Sequence, residues 1–476
     1  MNFKLRSLVA ATLAGSMLMG FGVNAMADST TDIVNALVAK GVLTEEEGAL
    51  LTKGRVDEAA GQAKAIKKAG KLKVSDAIDS ATLYGDIRVR YENRQSHNAT
   101  PSAASELKLE RPRYKVTLGV KTESGAWYSD LAMAMGSAGR SDNADFGQNI
   151  GTTTQGNING KQAVWVKRAM VGYKATDWLT LEAGRMTSPL YSTPMVWDAD
   201  LTIEGLSEQA KFKAGDADLS LIAVQNIYAG KRLTSGGVPK ATTGTETYGS
   251  SEQLAFQAGA RYAFNDSTSA KAAATYTTIT RNPYKTNFAV GSTAVAAGGG
   301  TNLFSVNDLN TIDIPAEINY MATSNIGVRL FGDYVINTRA DERATASKIT
   351  GTSGGSTGSD DIAWMFGVAI GSAKDLKAFE GNKMAKGDWS ARVWYQDVGA
   401  WSIDAAQVDS DIFDSRVNIK GTTFKAQYNM QDNLAVNVAA AHGKKKNAAL
   451  YTFGSGDMSG DIKDFDLIQL DMTYKF

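Results

Sequence analysis

From residue 81 onward the chain keeps a two-residue period. In the stretch from Leu83 to Glu92 the odd positions are apolar or glycine (Leu83, Gly85, Ile87, Val89, Tyr91). The even positions after Tyr84 are all charged: Asp86, Arg88, Arg90 and Glu92. Such alternation puts successive side chains on opposite faces of a strand. A face this charged must turn to water while its reverse meets something apolar. The pattern returns where Arg111, Arg113 and Lys115 alternate with Tyr114, Val116, Leu118 and Val120. It returns again at 254–262, at 328–336, and in the last segment, where Ile468, Leu470, Met472, Tyr474 and Phe476 share one face. At Val164 and Val166 it falters, because both share a parity with Arg168, and the facing there stays open.

The connections carry the second constraint. Short turns lie at 123–125, 175–177, 215–216, 265–268, 323–325 and 431–433. Long polar stretches lie around 94–106, 137–160, 187–205, 228–252, 281–312, 338–360, 397–416 and 442–462. Short and long alternate strictly, with 373–387 a longer member of the short set. About 16 strands of about 10 residues result, as in an antiparallel transmembrane β-barrel with long loops at one end and short turns at the other. A soluble β-sandwich would hide a dense face of large apolar residues. Here the apolar face is rich in Ala, Gly and Val, with aromatics towards strand ends (Tyr91, Trp127, Tyr173, Trp178, Tyr262, Trp389, Tyr428, Tyr474). That suits lipid contact between interfacial girdles. A β-propeller would need blade-length internal repeats, and none is visible.

Composition then excludes chemistry. The 476 residues hold 50 Lys+Arg against 50 Asp+Glu, so no bulk positive charge recommends nucleic acid as a partner. There is no cysteine and there are two histidines, His97 and His442, which leaves no basis for thiolate or multi-histidine metal sites. No cofactor, bound metal or catalytic constellation is expected. Asp409, Ser410 and Asp411 with Asp414 suggest calcium ligation but lack the glycine and terminal Glu of an EF-hand, and read as a solvated loop.

The first residues give an address. Lys4 and Arg6 precede an apolar run ending in Ala25-Met26-Ala27, the secretory pattern, with cleavage expected after Ala27. Residues 28–79 read as a helical periplasmic segment: Thr44 with Glu47 forms a capping box, and an Ala- and Lys-rich stretch follows. That segment serves either as a contact to peptidoglycan, a partner or neighbouring subunits, or as a solvated linker. The division is thus 1–27 signal peptide, 28–79 helical segment and 80–476 barrel.

Several segments together resemble a bacterial putative-porin family of outer-membrane barrels. They are Gly184-Arg185-Met186 with Ser188-Pro189, the run Trp197-Asp198-Ala199-Asp200-Leu201-Thr202-Ile203-Glu204-Gly205, and Leu330-Phe331-Gly332-Asp333-Tyr334. Gly387-Asp388-Trp389, Asp409-Ser410-Asp411 and Asn418-Ile419-Lys420-Gly421 support them. The resemblance implies a non-catalytic, water-filled channel of Gram-negative outer membranes, passing ions and small hydrophilic solutes, and a homotrimer. A barrel this wide needs something to narrow it. The loop at 187–205 is the candidate, with Asp198, Asp200 and Glu204 facing inward bases Arg88, Arg90, Arg111, Arg113, Lys115, Arg185, Arg261 and Arg329. Facing acids and bases would set the field at a constriction; the same acids could instead latch the loop to the wall. Two non-channel roles stay open: a sheath around a partner such as an electron-transfer cytochrome, and an anchor or adhesin.

Overall fold

The computed structural model describes residues 71–72, 77–99, 106–136, 141–147, 162–229, 251–279, 295–297, 300–302, 309–346, 360–372, 385–450, 452, 454, 457–458 and 460–476. The expected signal peptide, and the expected helical segment except Lys71–Leu72 and 77–79, lie outside the described residues.

Sixteen antiparallel strands form the barrel. They are β1 (Ser80–Asn98), β2 (Glu106–Ser124), β3 (Trp127–Gly136), β4 (Ala163–Lys174), β5 (Leu179–Thr187), β6 (Thr202–Ala214), β7 (Ala217–Ala229) and β8 (Ser251–Asn265). Then come β9 (Thr268–Ile279), β10 (Asn310–Asp313 and Ala316–Met321), β11 (Gly327–Asn337), β12 (Ile362–Gly371), β13 (Trp389–Val398), β14 (Ile419–Gln431), β15 (Leu434–Lys445) and β16 (Ile462–Lys475). The two pieces of β10 part at Pro315, which has no N–H to give a ladder. Each strand pairs with its sequence neighbour. Closure comes at β1, where Ile87 faces Val116 of β2 on one side and Tyr474 of β16 on the other. The Gly85 and Phe476 backbones exchange two hydrogen bonds at 2.9 and 3.0 Å to seal the seam. A closed sheet leaves no open edge.

The alternation read from the sequence is the alternation of wall faces. Leu83, Ile87, Leu118, Leu221, Phe256, Leu330 and Ile468 are exposed on the outer wall, and Trp127, Trp178, Tyr262, Trp389, Tyr428 and Tyr474 are exposed with them. Arg90, Glu92, Arg113, Gln257, Arg329, Asp333 and Gln469 are buried on the inner wall. The irregular stretch in β4 has a local cause. Ala132 pairs with Arg168 and Met133 with Val166, so Lys167 is an extra residue in a β-bulge. Val164 and Val166 therefore face outward, while Lys167 and Arg168 both reach inward.

The first long connection is shorter than the sequence implies. β1 runs to Asn98 and β2 starts at Glu106, so residues 94–98 and 106 of the stretch expected as loop lie on strands, His97 among them. The pairing persists because Arg94 and Ser96 are buried by loops inside the barrel and the ladder stays covered. Tyrosines on the inner wall also lie across glycines of the next strand, Tyr84 over Gly119 and Tyr128 over Gly172. A side chain at either glycine would collide with the ring.

Candidate functional site

The site is the lumen and two long connections folded into it. The first, residues 188–201 between β5 and β6, crosses from wall to wall. Leu190 and Trp197 cover an apolar patch of inner wall made of Met170, Met186, Ile203, Ile222, Val224 and Ala255. Beyond that patch the Tyr191 N–H donates to Gln257 Oε1 on β8 at 2.9 Å. The Tyr191 hydroxyl donates to Glu317 on β10 at 3.0 Å, and the Thr193 hydroxyl donates to Asp333 on β11. The return leg brings Asp200 to 3.5 Å from both Lys115 and Lys167, on β2 and β4.

The second, residues 399–418 between β13 and β14, was expected to be solvated. It is buried instead. Trp401, Ile403, Val408, Ile412, Phe413 and Val417 join Phe331, Val335, Met365 and Trp394 of the inner wall in one apolar cluster. Asp404 accepts a hydrogen bond from Tyr228 on β7, so this loop also reaches across the lumen. The chain there bends sharply: Phe413, Asp414, Ser415 and Asn418 all adopt left-handed backbone, with φ of 53°, 60°, 51° and 59°. Non-glycine residues pay for that conformation, and it persists only where the surroundings fix it. Here the Asp414 carboxylate accepts from the Asp457 and Met458 N–H groups at 2.8 and 3.0 Å, and the Asn418 amide donates to the Asn447 and Leu450 carbonyls. The two loops meet where Asp198 accepts from Ser410 N–H at 3.0 Å and Asp409 N–H donates to the Pro194 carbonyl at 3.0 Å.

Beneath the second loop lies a buried charge network. Arg90 grips Asp471 through Nε and Nη2, each at 2.7 Å, and gives Nη1 to Asp411 at 2.7 Å. Arg94 donates to Asp414 at 2.9 Å and to Glu92 at 3.1 Å. Glu92, fully buried, also accepts from Arg111 at 2.8 Å and from Gln469 at 2.8 Å. Arg113 and Arg111 both bind Asp145, at 2.7 and 3.0 Å. Each of these charges lies against an opposite one, which offsets the cost of taking it out of water. Burial pushes the Asp414 carboxyl up, with Arg416 and Arg94 opposing, whereas for Asp411 and Asp200 the cations win. Burial opposes ionisation of Asp411, but Arg90, Arg88 and Arg94 outweigh it and hold the group well below the usual range. Burial likewise opposes ionisation of Asp200, and Lys115, Lys167 and Arg88 overcome it. Both groups bind protons more weakly folded than unfolded. Their stabilisation is therefore complete above the unfolded value of about 3.9 and is lost as pH falls below it. The folded-barrel mobility of the unheated protein in detergent gels is expected to stay constant from neutral pH to about pH 5 and to give way only in stronger acid.

The expected site residues divide into three groups. Arg88, Arg90, Arg111, Arg113 and Lys115 gather on the inner wall of β1 and β2, and Asp198 and Asp200 come to the loop junction beside them. Arg329 and Arg261 also face inward, but elsewhere. Arg329 Nε donates to Asn319 at 2.7 Å, and Arg261 lies 3.6 Å from Asp218 nearer the short turns. Arg185 and Glu204 do not face the lumen. Arg185 shares its parity with Leu181 and Ala183, and Glu204 shares its parity with Leu206, so the two pair with each other on the outer wall. Glu92, Asp471 and Lys167 were not singled out, although Glu92 already stood in the charged face of the first alternating strand, and Asp411 was weighed only as a calcium ligand.

Below the first loop, on the short-turn side, lies a cavity of about 1250 Å³. Pro189, Tyr191, Trp197, Arg261, Lys271 and Glu317 are among the residues around it.

The profile of a family described as "Putative porin" matches residues 92–295 and 301–476. The chain belongs to this porin family. It is a porin-type outer-membrane β-barrel. Among solved structures it is similar to the outer-membrane channel DcaP of Acinetobacter baumannii, at 13% identity and TM-score 0.41, covering 84% of this chain and 99% of that one. It is also similar to OprB of Pseudomonas putida in a high-pH structure, at 12% identity and TM-score 0.46, covering 83% and 94%. No functionally curated protein matches the sequence.

Proposed function

We propose that this porin passes ions and small hydrophilic solutes by passive diffusion through a lumen narrowed by residues 188–201, after export with cleavage following Ala27. The observation that carries the reading is the strut itself: one loop bonded to β8, β10 and β11 on one side and to β2 and β4 on the other, above a cavity of about 1250 Å³. A sheath would keep its lumen free for a partner, whereas this lumen is occupied by the barrel's own loops. Within the narrowing, Asp198 serves as the latch, since its carboxylate is spent on the Asp200 and Ser410 N–H groups. Asp200, a quarter exposed, faces Lys115, Lys167 and Arg88 and contributes to the field that solutes meet. Swelling of proteoliposomes in sugars of increasing size tests the reading. A size-limited series of rates supports it, and no swelling in any sugar, with peptidoglycan retained by the protein, would support an anchor instead.

Replacing Asp200 with Asn removes one negative charge opposite three positive ones. The reversal potential in a salt gradient is expected to shift towards anion preference. An unchanged potential would leave Asp200 a latch only.

We also propose that the barrel assembles as a homotrimer. Glu208, midway along β6 on the outer-wall parity, has only Gln225 beside it at 3.4 Å among the described residues. A carboxylate facing hydrocarbon is costly, and a neighbouring subunit over β5–β8 relieves it. Because the chain has no cysteine, Ala223→Cys should cross-link copies with a short bismaleimide, while Ala440→Cys on the far wall should not.

A further inference from the structure

We propose that the short-turn vestibule holds a binding site for a small organic carboxylate, with Lys271 and Arg261 taking the carboxylate and Tyr191, Pro189, Leu190 and Trp197 taking its apolar body. The proposal rests on the channel reading for its supply of solute but not for its chemistry.

Lys271 on β9 and Arg261 on β8 are register partners, and both point into the lumen. Like charges directly opposite on one face repel, so the pair is unfavourable unless something negative sits before it. The wall does not supply it in full. Asp218 is shared, 3.6 Å from Arg261 and 3.7 Å from Lys213. Glu317, the register partner of Lys271 on β10, is engaged elsewhere. It accepts from the Tyr191 hydroxyl at 3.0 Å and from the Asn319 amide at 3.1 Å, and lies 3.7 Å from Arg329. Lys271 forms no ion pair among the described residues; its ammonium lies over the Tyr191 ring, 3.6 Å from the centroid. The charges that reach it are Glu317 with one sign and Arg329, Lys211 and Arg261 with the other.

The rest of the cavity is suited to the body of such a solute. Leu190 and Trp197 cover the apolar wall patch on one side and border the cavity on the other. Tyr191 is held at its backbone by Gln257 and at its hydroxyl by Glu317, so its ring is a fixed platform. A fixed cation beside a fixed ring suits an anionic head on a flat apolar body, and a volume of about 1250 Å³ leaves room for it and its water.

Benzoate is the probe, with benzyl alcohol as its uncharged counterpart. Equilibrium dialysis of labelled benzoate against the full chain in detergent at low salt reads binding without any need for conduction. Saturable benzoate binding, none of benzyl alcohol, and about tenfold weaker binding in Lys271→Gln are expected, the size of one charged hydrogen bond. Arg261→Gln is read in the same way, and both variants are checked for folded-barrel gel mobility. No benzoate binding by the unmodified protein, or unchanged affinity in both folded variants, overturns the site. Bilayer recordings separate the two proposals. Openings that benzoate does not block in a dose-dependent way sink this site and spare the channel. Benzoate binding without openings spares the site and sinks the channel.

Discussion

Arg90→Ala is expected to cost about 3–5 kcal/mol and to lower the temperature at which the unheated gel band is lost by more than any other single substitution on the inner wall. Arg90 is almost fully buried and satisfies Asp471 through two nitrogens and Asp411 through a third. Removing it leaves Asp471 and Asp411 with only the longer contacts of Arg88 at 3.9 Å and Arg94 at 3.7 Å, and takes away a cation 3.8 Å from the buried Glu92. The penalty is that of uncompensated buried charge, which exceeds the net worth of the ion pairs themselves. Arg90→Lys should fall between, since an ammonium keeps the charge but cannot span Asp471 and Asp411 with a planar fork. A melting temperature unchanged in Arg90→Ala would mean that this half of the lumen is hydrated rather than packed.

The second large effect concerns the strut. Thr187 and Thr202 are register partners at the ends of β5 and β6, so residues 189–200 can be cut out and the hairpin closed by a short turn without disturbing the ladder. Single-channel conductance is expected to rise severalfold, because the loop that crosses the lumen is gone. Stability should fall at the same time, since Met186, Ile203, Ile222 and Val224 lose Leu190 and Trp197 and meet water. Thr193→Val together with Tyr191→Phe is the milder variant. It removes the bonds to Asp333 and Glu317 but keeps the apolar cover, so noise and substate frequency should increase before mean conductance does.

Strand number, facing and loop alternation were legible because a two-sided wall writes itself at period two. Even the irregular stretch at 164–168 was informative, since a parity conflict is what a bulged residue produces, and Lys167 is that residue. The loop ends were less legible. Arg185 was read as an inward base and Glu204 as part of the loop, yet their parity with Leu181 and Leu206 already placed them outside. Residues 399–418 were misread for a different reason. Their aspartates suggest water, but Trp401, Ile403, Val408, Ile412, Phe413 and Val417 are too many apolar groups for a solvated loop, and they are what fold it inward. A charged strand face also cannot reveal whether its charges meet water or one another. Glu92 became the hub of a network only when Arg94, Arg111 and Gln469 were brought round it from β1, β2 and β16.

On the proposed function, this barrel conducts past its own inward loops. The deciding experiment adds the purified protein to a planar lipid bilayer in potassium chloride. Stepwise, reproducible openings whose size grows when residues 189–200 are excised are the predicted result. A silent bilayer with folded protein inserted, silent also after that excision, would contradict it.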